Sequence, residues 1–273
     1  MNCHQRLLSN PSRRNFLIYT SMSASLLFLG PARNTDLVWA STGNEYYVLN
    51  KEKFMAGFEK TYQAANTYLK AKYGDQVAQE ICKKARNEFT HLLPDIPYIG
   101  GDKHPGTKWM LLSGHWIAFL RPMQEKGHST QEAAQMMYTL YADYLKTLPK
   151  EKMVKKGEYM FTQEFMDIMK NWAQKTQGQK VDWVADFIPG DGKSFDWGID
   201  YHYCPCFDYF KAQGAADIAP YFCLVDFPEH KMMGTGLVRT KTLAQGDKIC
   251  DFRYKKGRAV TQGWSTEISK FQG

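Results

Sequence analysis

The stretch "YCPCFDYF" at residues 203–210 sets two cysteines on either side of one proline, and Cys204, Cys206, Cys223 and Cys250 all fall between residues 204 and 250. Thiols grouped in this way support four kinds of chemistry. An ionised thiol is a nucleophile, and ionisation needs a nearby cation or a helix N-terminus. Paired oxidation would staple the fold, through Cys204–Cys223 or Cys223–Cys250. The set Cys204, Cys206, Cys223 and Cys250 offers four thiolates to zinc or an iron–sulfur cluster, although Cys-Pro-Cys lacks the usual two-residue spacing and no second Cys-x-x-Cys follows. Finally, a buried cysteine is a small apolar filler. The residues alone leave the four alternatives open.

The elements that must position these thiols change character along the chain. From about residue 48 to 175 the apolar period is helical. Phe54, Phe58, Tyr62, Ala65 and Leu69 form one stripe, and Val77, Ile81, Ala85, Phe89 and Leu92 a second. "LPDIPYIGGDKHPGT" at 93–107 reads as a loop, and "KWMLLSGHWIAFL" at 108–120 as a central helix buried all round. Ser129 and Glu132 make a capping box that opens a helix with Ala133, Met137, Leu140, Tyr144 and Leu148 facing inward. A further helix is expected from about Gln163 to Lys175. His115, Met136, Met137, Met166 and Met169 read as core residues rather than metal ligands.

After Gly178 the period becomes two. Val181, Trp183, Ala185 and Phe187 alternate with polar residues, "PGDGKS" turns the chain, and Phe195 to Tyr203 alternate again. Gly190, Gly192 and Lys193 in that turn lack Walker spacing and join two strands. Residues 205–222 read as two short helices hinged at Gly214. Residues 237–243 and 248–254 are expected to form a second hairpin across "AQGD". A four-residue turn there places Arg239 and Lys241 on the face of Cys250, where Arg239 could supply the cation that a reactive thiol needs. The fold expected is α+β: a helical N-terminal half packed on a mostly antiparallel four-stranded sheet, with a β-β-α-α-β-β C-terminal half.

Residues 1–40 read as an export signal. Arg13 and Arg14 precede Phe16-Leu17, the apolar run "SMSASLLFLG" follows at 21–30, and Val38-Trp39-Ala40 suits a cleavage site. The paired arginines resemble the twin-arginine type, so the expected location is the periplasm or another exported compartment, with the twin-arginine export machinery as a partner. The run is shorter than the roughly 20 apolar residues of a membrane span, and none is expected in the mature chain. The whole chain carries a formal charge of +7 with no Lys/Arg run, which disfavours nucleic acid as a partner. Without residues 1–40 the charge falls to about +4. What remains, residues 41–273, reads as a single domain. Five cysteines are left, an odd number that cannot all pair within one chain.

"WGIDYHYC" at 197–204, Gly214, "YFCLVD" at 221–226, Arg239 and "LAQGDKICDFRY" at 243–254 together resemble the L-2-amino-thiazoline-4-carboxylic acid hydrolase family. The resemblance covers residues 195–254, with only general helical character shared from about 107 to 190. It implies hydrolytic opening of the ring of a small-molecule substrate, 2-amino-thiazoline-4-carboxylate, to N-carbamoyl-cysteine. On that reading Cys204, Cys223 and Cys250 are the candidate thiols, Asp226 and Asp251 the candidate acid/base groups, and Arg239 the candidate holder of the substrate carboxylate. No cofactor is assigned. Cys206 is an additional thiol. The competing expectation is an exported protein that uses the clustered cysteines to hold a metal or cofactor, without hydrolysis.

Overall fold

The two apolar stripes nearest the N-terminus fold as α1 (Lys51–Tyr73) and α2 (Asp75–Leu92), an antiparallel pair broken at Gly74, whose φ of 89° suits glycine. This computed structural model describes residues 45–178 and 181–271; the export signal expected at 1–40 lies outside the described residues. Phe54, Phe58, Ala65 and Leu69 of α1 meet Ile81, Ala85 and Phe89 of α2, with the Phe58 and Phe89 rings stacked 4.6 Å apart. Cys82 is buried between them.

The all-apolar segment is α3 (Thr107–Glu125), longer than expected at its C-terminal end and buried on nearly every side. Helix α4 (Thr130–Lys146) starts from the expected capping box: the Glu132 N–H donates to Ser129 Oγ and the Ser129 N–H to Glu132 Oε2. Its inward stripe differs in one position, since Leu145 is buried and Tyr144 stands 49% exposed over a cleft. Helices α5 (Lys150–Tyr159) and α6 (Gln163–Thr176) follow. The first of them has a charged sequence that hides a close approach of Gly157 to the Met233 backbone.

The sheet has three strands, not four. Antiparallel β1 (Val184–Pro189), β2 (Trp197–Tyr203) and β3 (Cys250–Tyr254) lie in that order. Register sets Phe187 opposite Ile199 and Ile199 opposite Phe252, and it sets Tyr201 opposite Cys250. One face is therefore apolar and covered by the helices, and Cys250 belongs to it. On the other face Arg253 pairs with Asp200 at 2.6 Å. Val181, expected on the apolar face, lies before the strand and is 51% exposed.

The fourth strand expected at 237–243 is reduced to one bridge. Val238 and Arg253 exchange both backbone hydrogen bonds at 2.9 Å. Beyond that point the Asp251 carboxylate accepts from the Thr240 and Lys241 N–H groups at 2.7 and 2.6 Å. A side chain thus takes donors that a neighbouring strand would use, and the ladder stops. The turn closes as a 3₁₀ helix at Leu243–Gln245 with Gly246 left-handed. Between the hairpin and this segment run α7 (Pro205–Ala212), the short α8 (Ala219–Phe222) and α9 (Asp226–Met233). A short α10 (Trp264–Glu267) and a 3₁₀ turn (Ile268–Phe271) end the described chain. The order after residue 180 is therefore β-β-α-α-α-β-α.

Candidate active site

Cys204 leaves β2 and becomes the N-cap of α7, because Pro205 fits the first helical position and holds the residue before it extended (φ −133°, ψ 111°). Cys206 then falls in the first turn and points inward, its Sγ 3.5 Å from Met110 Sδ. Cys223 sits on the 3₁₀ turn between α8 and α9, and Asp226 is the first residue of α9. Cys250 opens β3 and accepts the Leu243 N–H at 3.2 Å. Arg239 is one residue past the Val238 bridge, and so shares the face of Phe252 and Cys250. Of the two faces that the turn length leaves open, this is the one a four-residue turn gives.

All of these side chains line one internal cavity of about 30 Å³. Cys204, Cys206, Cys223 and Cys250 contribute sulfur, Asp226 and Arg239 contribute charge, and Trp183, Phe207, Phe222 and Phe252 are among the aromatic walls. A space of that size takes a water molecule or two and no ring. Cys204, Phe207 and Cys223 are the half-exposed residues of the lining and mark its mouth. Asp251 is not part of the lining; its carboxylate is occupied by Thr240 and Lys241. Cys82 is also outside the lining, and all five described cysteines are free thiols. Among the described residues no group of three or more His, Cys, Asp or Glu is arranged to hold a metal ion.

The four sulfurs have different environments. At Cys204, the Cys206 thiol is the main influence holding the group below the usual thiol range, and the Phe207 and Cys206 N–H groups at the start of α7 add to it. Those amides face the sulfur without making a capping hydrogen bond of full geometry. The Trp183 indole also favours the thiolate, although its Nε1 likewise has no full-geometry partner. Burial pushes the other three the opposite way: Cys206 and Cys223 well up, and Cys250 up to about 12. Of the four thiols, Cys204 is the one whose surroundings favour the thiolate, while burial favours the neutral form of the other three.

Arg239 is nearly closed off from water. Its Nη1 donates to Asp226 Oδ2 at 2.6 Å, its Nη2 to the Cys223 carbonyl at 2.9 Å, and its guanidinium lies 5.0 and 5.1 Å from the Phe227 and Phe252 ring centres. Gln262, which sequence reasoning did not single out, clamps its backbone: Arg239 N–H donates to Oε1 at 2.9 Å, and Nε2 donates to the Arg239 carbonyl at 2.7 Å. Both guanidinium arms are engaged, so the arginine's first task here is to hold Asp226. Burial raises the Asp226 carboxyl to about 6, against the pull of Arg239. The second oxygen, Asp226 Oδ1, is buried with no hydrogen-bond partner, which leaves an acceptor in a cavity with room for water.

The arrangement offers a stabilised thiolate, a carboxyl that changes charge near neutral pH and a fixed cation behind it, within one closed space. Comparison with curated proteins and with solved structures gives no match for this chain. Its residues 111–254, just over half of the sequence, match the model of the family described as L-2-amino-thiazoline-4-carboxylic acid hydrolase. The match takes in every wall of the cavity named above, and the chain belongs to the L-2-amino-thiazoline-4-carboxylic acid hydrolase family.

Proposed function

We propose that the protein is a thiol-dependent hydrolase that opens the ring of a 2-amino-thiazoline-4-carboxylate, with Cys204 as nucleophile and Asp226 as general base. The observation that carries this reading is geometric: Cys204, at the N-cap of α7, lines the same cavity as the buried Asp226 carboxyl, and its surroundings favour the thiolate more than those of the other three sulfurs. The family gives the substrate class; the cavity gives the roles.

The ring carbon between nitrogen and sulfur is an electrophile, and its amidine is basic enough to arrive protonated. The Cys204 thiolate adds to that carbon, the ring carbon–sulfur bond breaks, and the ring sulfur leaves as a thiolate. The substrate is then held as an S-linked isothiourea. Water attacks the same carbon and gives one proton to Asp226, a lining residue whose Oδ1 makes no hydrogen bond to the protein. Collapse expels the Cys204 thiolate and leaves a urea, and the second water proton goes to the product thiolate. Asp226 passes its proton to solvent, which balances the one the amidine brought. Arg239 holds Asp226 in place and keeps it ionisable. Cys223 and Cys250 shape the cavity around these groups, while Asp251 stabilises the Thr240–Lys241 segment that carries Arg239's neighbours. The ring enters by separation of the mouth residues Cys204, Phe207 and Cys223.

Turnover of the thiazoline carboxylate by the wild type and by four single Cys→Ser variants tests this. Cys204→Ser is expected to lose the activity, while Cys206→Ser, Cys223→Ser and Cys250→Ser keep a measurable rate. A wild type that leaves the ring closed, or a Cys204→Ser enzyme at full rate, would refute the proposal. We also propose that residues 1–40 direct export through the twin-arginine route, on the strength of Arg13-Arg14 and the apolar run that follows. Lys at both arginines should leave the protein in the cytoplasmic fraction; unchanged export would overturn it.

A further inference from the structure

A larger space lies on the other side of α3 from the cysteine cavity. It measures about 420 Å³, within the range of small-molecule sites, and opens between α1, α3, α4 and α5. Its walls are mostly aliphatic and aromatic, with Leu111, Leu112, Leu140, Leu148, Met153 and Trp109 among them. Three lysines reach it: Lys60, Lys108 and Lys156. Lys156 is spent, because its Nζ pairs with Glu229 Oε1 at 2.9 Å while the Tyr141 hydroxyl donates to Oε2 at 2.9 Å. Lys60 and Lys108 have no ion pair among the described residues. Lys60 and Lys108 are both exposed, and the Lys108 Nζ lies 4.7 Å from the Trp109 ring centre.

Lys60 and Lys108 set two exposed ammonium groups beside an apolar cleft, and Lys108 also lies within the field of the buried Glu229. The cleft contains no arginine fork and no glycine-rich loop of the kind that cradles phosphate, and His115 on its wall is kept neutral by burial, at about 3. A single small acidic head on an apolar body matches this chemistry. A third of the wall, including Gly57, Lys60, Thr61, Lys108 and Trp109, comes from residues before 111, outside the segment that matches the family.

We propose that the cleft between α1, α3, α4 and α5 is a second binding site that takes an amphipathic monocarboxylate, its carboxylate on Lys108 and Lys60 and its apolar body against Leu111, Leu112 and Leu140. It is separate from the thiol cavity, and its occupancy does not depend on the hydrolase reading.

Octanoate titrated into the full chain, followed by calorimetry and by Trp109 fluorescence, tests the site; octan-1-ol, octylammonium and inorganic phosphate serve as comparison probes on the same protein. Octanoate is expected to bind one per chain, octan-1-ol at least about tenfold more weakly, and octylammonium not at all. Lys108→Gln should weaken octanoate about tenfold or more, the loss of one charge-assisted contact, and Lys60→Gln should weaken it by a smaller factor. If Lys108→Gln fails to fold, Lys60→Gln and the ranking of the four probes on the wild type still decide the matter. Absence of octanoate binding, equal binding of octanoate and octan-1-ol, or displacement of octanoate by inorganic phosphate at equal concentration would each overturn the proposal.

Discussion

Replacing Arg239 by Met removes the guanidinium while keeping an apolar stem between Phe227 and Phe252. The side chains of Arg239 and Asp226 are 4% and 2% exposed, so the variant strands a carboxyl with no cation and little water. Removing one partner of a buried pair typically costs about 3–5 kcal/mol. Here that cost must depend on pH, because Asp226 can escape it by taking a proton. In the wild type the carboxyl already moves from an ordinary 3.8 to about 6, a destabilisation of the ionised folded form worth about 3 kcal/mol. The sign follows from the raised value: the contribution is favourable below about pH 4 and is lost as pH rises through about 6. Without Arg239 the carboxyl rises further, so more stability is lost at pH 8 than at pH 5. Urea unfolding of wild type, Arg239→Met and the double variant Arg239→Met/Asp226→Asn at the two pH values measures this. We expect a loss of about 3–5 kcal/mol at pH 8, a clearly smaller one at pH 5, and partial recovery at pH 8 in the double variant. Equal losses at both pH values, or no recovery on neutralising Asp226, would refute the reasoning that the pair is an electrostatic unit.

Limited alkylation at neutral pH with peptide mapping should modify Cys204 first, because its thiolate is favoured and it lies at the cavity mouth; fastest labelling of Cys250 or Cys223 would contradict the assignment. The pH profile of kcat/KM should rise through about 6 as Asp226 ionises, and a profile that falls through this range would make Asp226 an acid instead. Gly157→Ala should lower the melting temperature markedly, since a Cβ there meets the Met233 carbonyl where α5 crosses α9, and overpacking against backbone costs about 1–3 kcal/mol; an unchanged melting temperature would show that the two helices separate easily.

Much of the scaffold was legible in residue spacing. Helical stripes gave α1, α2, α4 and α6, and period-two alternation gave the first hairpin. The "AQGD" turn left two faces open to Arg239, and the Val238–Arg253 bridge selects the Cys250 face. What failed, failed for local reasons. The second hairpin has the composition of a strand pair, but the Asp251 side chain captures the Thr240 and Lys241 amides and ends the ladder, an outcome that depends on one rotamer. The same capture removes Asp251 from the cavity that its neighbour Cys250 helps line. Helix α9 was hidden because "DFPEHKMM" carries almost no amphipathic signal: Asp226, Phe227, Glu229, His230 and Met233 are buried on several sides. Glu229 sits there as an ion only because Lys156 and Lys108 outweigh the cost of its burial and hold it at about 2. Cys206 was visible as a thiol, but its influence on Cys204 follows from Pro205 starting a helix between them, which the dipeptide spacing alone does not convey. Gln262 is 23 residues from Arg239 and carries no motif, so only the folded chain connects them.

The central claim is a covalent bond between Cys204 and the ring carbon of the substrate. Asp226→Asn should slow the water step more than the thiol step and let the adduct accumulate. Peptide mass analysis of this variant, quenched soon after mixing with the thiazoline carboxylate, should find Cys204 heavier by one whole substrate molecule. Unmodified Cys204 alongside product formation, or an adduct on Cys206, Cys223 or Cys250, would contradict it.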